Sequence, residues 1–486
     1  MSGPLIALGI IAVVLLAVVF VSSLSVRGIL MDPQQYMVAG RSFGPFLLWL
    51  LMAGEIYTTF TFLGGAGWAY SHGAPAFYIL CYGTVAYIIS FFLAPAIWRV
   101  AKKHNLLTGA DFFATRYGSK ALGVIVAIVG FVFLVPYVTL QLSGLEILLH
   151  IAGYGSFNAA VAVSVAFIII AFFVFTTGIR GTAWASVAKD ALVLLGVIFA
   201  GIVLPIHFFG SPANVITKVL QQQPDYLTLP HASTGLGTTW FVSTVLLTSL
   251  GFFMWPQSMQ AIYSAKNEDS LRRNAVFLPV YQLMLLLVYF AGFTALLVMP
   301  GLKGPAADQS FMLVVQKYFS PFTLGALASA GCLAGLIPAS AQILAAASLI
   351  TKNVMGDWLG IATTDRERTL TTRILVLVVA ALSLFFWLVA KSSLVGLLLM
   401  GYNGVTQFFP GVVLAFAWKR TSAWGVGAGI VVGVAMVAYL SLTGRSVFEG
   451  VNSGFAALIL NAIVCVVVSL LTPAPESVER GASVAA

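Results

Sequence analysis

The stretch MAGEIYTTFTFLGG, residues 52–65, interrupts the second long apolar segment of the chain with three glycines and a carboxylate. The stretch GFFMWPQ, residues 251–257, interrupts the seventh segment with a glycine and a proline. Proline removes a backbone hydrogen bond and clashes with the preceding helical turn. Inside a bilayer, the backbone groups freed by such a break are tolerated only against protein or a watery cavity. We therefore expect two broken helices whose breaks face the protein interior.

The composition around these breaks is that of a membrane protein. Of the 486 residues, 60% are hydrophobic and 8% are charged, and the charged share is about a third of that in a typical soluble domain. These values exclude a soluble enzyme and a disordered chain. The three cysteines lie far apart in apolar runs, without the spacing of a disulfide framework or a metal site. We expect no cofactor, no metal and no nucleic-acid partner.

Thirteen segments are long and apolar enough to cross a bilayer, which takes about 20 residues of helix. Their bounds are 3–24, 44–71, 75–100, 120–150, 158–176, 182–207, 237–264, 274–299, 320–353, 368–390, 393–418, 424–443 and 452–472. The sequence therefore predicts an all-α integral membrane protein with thirteen transmembrane helices.

The basic residues predict the orientation of these helices. With the N-terminus outside, the inside loops and helix ends hold 18 Lys and Arg residues, and the outside loops hold 5. The inside group is Arg27, Arg41, Arg99, Lys102, Lys103, Arg116, Lys120, Arg180, Lys266, Arg272, Arg273, Lys352, Arg366, Arg368, Arg373, Lys419, Arg420 and Arg480; the outside group is Lys218, Lys303, Lys317, Lys391 and Arg445. Because cytoplasmic loops are enriched in Lys and Arg, we expect a periplasmic N-terminus and a cytoplasmic C-terminus in a bacterial inner membrane.

The two interrupted helices lie five apart in chain order, which indicates two five-helix halves. Interrupted helices at matching places in two halves are the best sequence indicator of a transporter's binding site. Ordinary glycine packing with a proline kink is the alternative. The predicted divisions are an extra helix and cytoplasmic linker (1–43), a first half with its outer loop (44–236), a second half (237–420), and two further helices with a short cytoplasmic tail (421–486).

Four ionisable side chains fall inside predicted helices: Glu55, Glu146, Lys189 and Asp190. A charge at membrane depth costs about 3 kcal/mol on insertion scales, so each is a candidate functional group. Burial disfavours the charged form of a carboxylate, which suits Glu55 as a proton carrier. Lys189 and Asp190 point about 100° apart on a helix, so we expect separate partners for them. A structural role is the alternative for each of them, and Glu146, near a helix end, is a weaker candidate.

Four motifs resemble those of the sodium:solute symporter family, in the order in which the family carries them. They are VAGRS (38–42), TGADFF with RYGS (108–113 and 116–119), KN with LRR (266–267 and 271–273), and GYNG with Gln407 and Pro410 (401–404). The resemblance covers nearly the whole chain. It implies a LeuT-type fold of two inverted five-helix repeats with alternating access, with one extra N-terminal helix and two extra C-terminal helices.

Three further motifs resemble the bacterial monocarboxylate permease branch of that family: EIYTTFTF (55–62), AKD (188–190) and IPAS (337–340). Similar permeases carry lactate, pyruvate, related short acids and sometimes alanine. The resemblance implies a symporter of short monocarboxylates. The alternative is a Na⁺-coupled symporter of an amino acid or another small metabolite. A sensor, a channel and an enzyme are further alternatives, and no potassium-filter or nucleophile–base pattern favours the last two.

The sequence departs from the family at the usual sodium site. That site combines backbone carbonyls of the broken first core helix with two hydroxyl side chains on the eighth. Ile337 and Pro338 stand where the hydroxyls are expected, and neither side chain offers an oxygen. Ser340 could support a shifted site, with Ile337 as a remnant of the old one; Lys189 could instead fill the space with its own charge. We therefore expect proton coupling, with Glu55, Lys189 and Asp190 as the candidate groups.

A short monocarboxylate needs positive potential and few hydrogen bonds. The N-termini of the half-helices beyond the breaks supply roughly half a charge each. The predicted substrate-binding residues are Gly54, Tyr57, Thr58, Thr59, Gln141, Trp255, Gln257, Tyr402 and Asn403. A packing role is the alternative for each of them. The expected partners are a small organic acid, H⁺ or Na⁺ as coupling ion, and the lipid bilayer around a monomer or loose oligomer.

Overall fold

The structure, a computed structural model, describes residues 3–231, 235–389 and 392–473. The predicted tail with Arg480, and Lys391 of the outside group, lie outside the described residues. The helices are α1 Gly3–Ser23, α2 Pro33–Val38, α3 Pro45–Gly54, α4 Gly65–His72, α5 Tyr78–Lys103, α6 Gly109–Tyr117, α7 Lys120–Ala152, α8 Ala159–Ile198, α9 Leu204–Phe209, α10 Pro212–Gln222, α11 Thr238–Gly251, α12 Pro256–Ser264, α13 Glu268–Leu283, α14 Leu285–Val298, α15 Ser310–Tyr318, α16 Pro321–Leu349, α17 Asp365–Val389, α18 Leu394–Val405, α19 Phe409–Ala417, α20 Ala423–Leu442 and α21 Ser453–Leu471. One short antiparallel hairpin joins β1 Val447–Phe448 to β2 Val451–Asn452.

The described residues include ten helical segments long and apolar enough to cross a membrane, and a bent pair adds an eleventh. The bent pair is α11 and α12, which meet at 45°. The break predicted in the seventh segment is therefore confirmed. The predicted count of thirteen spans additionally requires α3 and α4 to form one broken span and residues 159–209 to form two, and it stays a prediction.

Residues 159–209 form one apolar helical run of 51 residues. At 1.5 Å per residue such a run is about 76 Å long, more than twice the hydrocarbon thickness of a bilayer. Gly178 divides it with φ 57° and ψ −152°, a conformation essentially restricted to glycine. A Cβ on Gly178 would lie 2.4 Å from the Tyr36 carbonyl oxygen. Gly178 therefore permits both the change of direction and the close approach of α2.

The second predicted segment is broken as well. Helix α3 ends at Gly54, and the helix resumes with a π-helical turn, Phe60–Gly64, that leads into α4. Between them the backbone makes only short-range turns, such as Glu55 N–H to Met52 O at 3.2 Å. Single π-turns occur frequently at functional sites. The break predicted from residues 52–65 is confirmed, and it leaves backbone carbonyls that the helix does not use.

Helix α16 lies at the centre of the fold, almost entirely buried, and packs mainly against α1, α7 and α8. Its sequence is rich in small residues, which let neighbouring backbones approach closely in membrane proteins. A Cβ on Gly335 would lie 2.7 Å from Thr59 Cγ2, and one on Gly331 would lie 2.8 Å from Leu148 Cδ1. The small residues of α16 therefore hold it against both the first break and α7.

Candidate functional site at the two helix breaks

The two breaks, 200 residues apart in sequence, meet through a pair of side chains. Gln257, in the first turn of α12, donates from Nε2 to Oε2 of Glu55 at 3.0 Å. Glu55 is the C-cap residue that directly follows α3. The Tyr137 hydroxyl of α7 donates to the Glu55 carbonyl oxygen at 3.3 Å. The site therefore brings together α3, α7 and α12, and it includes two of the predicted residues, Glu55 and Gln257.

Lys189 is fully buried, and its ammonium lies at the first break. Its Nζ donates to the Gly54 carbonyl at 3.1 Å and lies 3.4 Å from the Tyr57 carbonyl. Asp190 Oδ1 lies 2.7 Å from the same nitrogen. The expectation of separate partners for Lys189 and Asp190 is wrong, because the long lysine side chain bends back over its neighbour. A Cβ on Gly54 would lie 2.9 Å from Nζ, so glycine leaves room for the ammonium.

The pair of Lys189 and Asp190 carries no net charge, and Glu55 is left as the unbalanced charge of the breaks. The Tyr281 hydroxyl of α13 faces the Asp190 carboxylate. Tyr57 donates from its hydroxyl to the Tyr281 carbonyl at 3.0 Å, and the two rings lie 4.4 Å apart. The Tyr57 side chain therefore packs toward α13. The backbone carbonyl of Tyr57, rather than its hydroxyl, accepts from the Lys189 ammonium.

Gln141 of α7 supports the other end of the first break. The Thr59 hydroxyl donates to Gln141 Oε1 at 2.8 Å, and the Thr59 backbone N–H points to the same oxygen at 3.4 Å. The Thr58 hydroxyl accepts from the Phe60 N–H at 3.2 Å, and the Thr61 hydroxyl donates to the Ile56 carbonyl. The short polar side chains of the stretch thus satisfy the backbone groups that the break releases.

Several aromatic rings pack together beside Glu55 and Gln257. Trp255 lies 4.6 Å from the ring of Tyr137 and 5.3 Å from that of Tyr402, measured between centroids. Tyr82 of α5 lies 5.9 Å from Tyr402 and 6.0 Å from Phe252. Trp255 and Tyr402 were predicted here, whereas Tyr137, Tyr82 and Phe252 were not. Only one feature of the sequence could have indicated Tyr137 as a site residue: it stands one turn before Gln141 on the same face of α7.

Three predicted residues lie away from these contacts. The Asn403 amide donates to Ser453 Oγ at 3.4 Å and packs against Gly454, so this side chain is turned toward α21. Ser340 bonds to Thr182 of α8 at 2.9 Å and donates to the Ile337 carbonyl at 2.6 Å. The Ile337 side chain faces an apolar groove between α1, α7, α8 and α16. None of the three has a hydrogen bond to the break residues.

Residues of two sequence motifs, VAGRS and TGADFF, form a layer on one side of the breaks. Arg41 donates to the carbonyls of Tyr263 at 3.0 Å and Leu106 at 2.7 Å. Asn353, in the π-helical end of α16, donates to Asp111 Oδ1 at 2.6 Å. These bonds join the linker before α3, the end of α12, the start of α6 and the end of α16, so the elements on this side of the site are tied to one another.

A second layer lies on the opposite side of the breaks. The Asp308 carboxylate accepts from the Leu394 N–H at 3.0 Å, at the start of α18. Burial raises the pKa of Asp308 to about 6, and the Leu394 hydrogen bond opposes the increase. A Cβ on Gly67 of α4 would lie 2.5 Å from Asp308 Oδ1. The outer loop therefore packs directly on the half-helix that follows the first break. No cluster of three His, Cys, Asp or Glu side chains that could hold a metal ion occurs in the described ranges.

The buried ion pair gives a stability prediction. Replacing Lys189 by Met leaves Asp190 without its cation, and removing one partner of a buried pair costs about 3–5 kcal/mol. The double variant Lys189→Met/Asp190→Leu removes both charges, and we expect a smaller fall in the apparent Tm than in the single variant. Thermal unfolding of the purified protein in detergent measures both, with Asp190→Leu as the fourth member of the cycle. A double variant less stable than either single variant would contradict the pairing.

Comparison with known proteins identifies relatives of this chain. The symporter YhjB of Bacillus subtilis (strain 168) is 41% identical over 97% of this chain and 98% of its own length. The monocarboxylate transport permease protein of Rhizobium johnstonii is 28% identical over 91% of each chain. The substrate-bound, outward-open structure of a Na⁺-coupled sialic acid symporter is 15% identical, with a TM-score of 0.80 over 97% of this chain and 98% of that one, which shows a shared LeuT-type fold.

The sequence profile of the sodium:solute symporter family matches residues 36–433. This range contains both helix breaks, Lys189 and the whole of α16. The relatives described above are transporters, as the fold and the buried polar site suggest. This multi-pass membrane protein belongs to the sodium:solute symporter family.

Proposed function

We propose that this protein is a secondary active symporter that imports short monocarboxylates, such as lactate or pyruvate, by alternating access and with protons as the coupling ion. The observation that carries the proposal is the position of the Lys189 ammonium on the free carbonyls of Gly54 and Tyr57. The division into two five-helix repeats, 44–236 and 237–420, with thirteen spans, is part of the same proposal.

The ammonium occupies a position suited to a monovalent cation. Sodium is a hard cation, and oxygen atoms are the ligands such ions require. Here the carbonyl oxygens of Gly54 and Tyr57 and a carboxylate oxygen of Asp190 all surround one nitrogen, at 3.1, 3.4 and 2.7 Å. A sodium ion cannot share that space with the ammonium. A permanently tethered positive charge therefore removes the need for a bound metal cation at this break.

Charge balance then links the substrate to a proton. With Lys189 and Asp190 paired, Glu55 repels an incoming carboxylate. At a separation of about 6 Å and an effective dielectric constant of 20, that repulsion is about 3 kcal/mol. A proton on Glu55 removes it, so the anion and the proton bind more tightly together than apart. Transport of one anion with one proton is electroneutral and follows the pH gradient.

The aromatic surroundings of Glu55 and Gln257 support a short aliphatic acid. Gln257 bonds to Glu55, and the neighbouring Trp255 packs against the rings of Tyr137 and Tyr402. A sugar requires many hydrogen bonds, whereas a short acid requires few. The family membership and the relative named as a monocarboxylate transport permease support the same substrate class.

A second candidate function is Na⁺-coupled symport of an amino acid. The observation that favours it is the excess negative charge of Glu55 beside the Gln257 amide, because an ammonium group of the substrate would be attracted there. In that case the substrate rather than a proton neutralises Glu55, and sodium binds away from Lys189.

The variant Glu55→Gln distinguishes exchange of the substrate from its accumulation driven by protons. The amide keeps a hydrogen-bond partner for Gln257 but cannot take up a proton, so we expect labelled-lactate counterflow in proteoliposomes to continue while accumulation driven by a pH gradient is lost. Lys189→Ala is expected to abolish accumulation too. Glu146→Gln is the matched control, because Glu146 is exposed near the outer end of α7. Accumulation by Glu55→Gln at the wild-type level would exclude Glu55 as the proton carrier.

We further propose the bacterial inner membrane as the location, with the N-terminus periplasmic and the C-terminus cytoplasmic, on the distribution of Lys and Arg. In a background without native cysteines, Lys218→Cys in α10 is expected to react with a membrane-impermeant maleimide on intact spheroplasts. Lys102→Cys at the end of α5 is expected to react only after lysis. Both positions are exposed, so accessibility alone decides the outcome. The reverse pattern would invert the proposed orientation.

A further inference from the structure

Two buried amide atoms beside the breaks have no hydrogen-bond partner among the residues that the structure describes. They are Nε2 of Gln141 and Oε1 of Gln257. Both side chains are 2% exposed. A buried polar atom left unpaired costs about 1–3 kcal/mol, and such atoms are rare in native proteins unless water or a ligand completes them. One of these atoms is a donor and the other is an acceptor.

The orientation of each amide is fixed by the residue that holds it. The Thr59 backbone N–H can only donate, so Gln141 presents its oxygen to Thr59 and leaves Nε2 free. The Glu55 carboxylate accepts from Gln257 Nε2, so Oε1 is left on the other side of that amide. The residues of the first break therefore determine which atom of each amide stays unpaired. The assignment of nitrogen and oxygen in these two side chains is not arbitrary.

Both amides border the same short stretch of chain. Glu55 and Thr59 are four residues apart in the first break. Tyr137 lies one turn from Gln141 on α7 and reaches the Glu55 carbonyl at 3.3 Å, which links the two ends. Four other buried amides in the described part of the chain also have unpaired atoms: Asn274, Gln282, Gln342 and Asn403. Asn274 donates to the sulfur of Met52 in α3 at 3.0 Å, and none of the four is bonded to Glu55 or Thr59.

We propose that these two atoms select short acids that carry a hydrogen-bond donor on carbon 2. The substrate carboxylate accepts from Gln141 Nε2, and a hydroxyl or ammonium group on carbon 2 donates to Gln257 Oε1. This inference rests on the proposed function and narrows it. A 2-hydroxy acid such as lactate, or a 2-amino acid such as alanine, satisfies both amides. Propionate and pyruvate lack a donor on carbon 2 and leave Gln257 Oε1 unpaired.

The expected selectivity follows from this unpaired atom. A site built to hydrogen-bond a substrate group discriminates strongly against an analogue that lacks it. We expect unlabelled L-lactate to inhibit labelled L-lactate counterflow at a concentration about 10-fold or more below that needed for propionate or pyruvate. Gln257→Met keeps the length of the side chain and removes the acceptor. In this variant we expect the concentrations of propionate and pyruvate needed for inhibition to approach that of L-lactate, so that the ratio between them falls toward one.

Gln282→Met is the matched control. Gln282 also has a buried unpaired acceptor, but its amide donates to the Ile79 carbonyl on α5, away from both breaks. In this variant, the ratio between the inhibitory concentrations of propionate and L-lactate should equal that of the wild type. The comparison of L-lactate with propionate and pyruvate can be made on the wild-type protein alone, so a misfolded Gln257→Met protein does not prevent the test.

Equal inhibition by lactate, propionate and pyruvate in the wild type would overturn the inference and leave the proposed function intact. An unchanged ratio in an active Gln257→Met protein would overturn it too. Inhibition by both L-lactate and L-alanine supports a donor of either kind, and inhibition by lactate without alanine supports a hydroxyl. No counterflow of labelled lactate, with counterflow of labelled alanine, would contradict the monocarboxylate proposal while supporting the donor on carbon 2. No counterflow of either would overturn both.

Discussion

A helix that unwinds in the middle of a membrane exposes carbonyl oxygens where no water is available, and those oxygens need a positive partner. Here Lys189 provides it, with its ammonium 3.1 Å from the Gly54 carbonyl and 2.7 Å from the Asp190 carboxylate. Gly54 leaves space for the ammonium because it has no side chain. The half-helices, the bridge to α12 and the charge balance at Glu55 all depend on this buried contact.

The rest of the fold positions that contact. Gly178 divides the run that carries Lys189 and brings its second part alongside α3. The small residues of α16 let it approach Thr59 closely, so the first break is held between α7 and α16. On the periphery, Asn461 of α21 donates to the carbonyl and side-chain oxygens of Gln407 at 2.8 and 3.0 Å, which fixes the connection between α18 and α19. The packing of these elements thus holds the site in place.

Much of this could be predicted from the sequence, because backbone restrictions are local. Glycine and proline mark the two breaks, and hydropathy marks the spans. The meeting of Glu55 with Gln257 could only be suggested by the symmetry of the two halves. The bond between Lys189 and Asp190 could not be predicted from helical geometry, since it depends on how the long side chain bends. Tyr82 and Phe252 could not be recognised as site residues in a chain where 13% of residues are aromatic. Asn403 was predicted to bind substrate, but its side chain faces α21.

If the Lys189 ammonium takes the place of a coupling metal cation, transport requires no sodium. Uptake of labelled lactate by wild-type proteoliposomes under two separate gradients decides this point. One is an inward pH gradient without sodium, and the other is a sodium gradient at equal pH. We expect accumulation with the pH gradient alone. Accumulation only with the sodium gradient would show that a sodium site exists elsewhere and that Lys189 has a purely structural role.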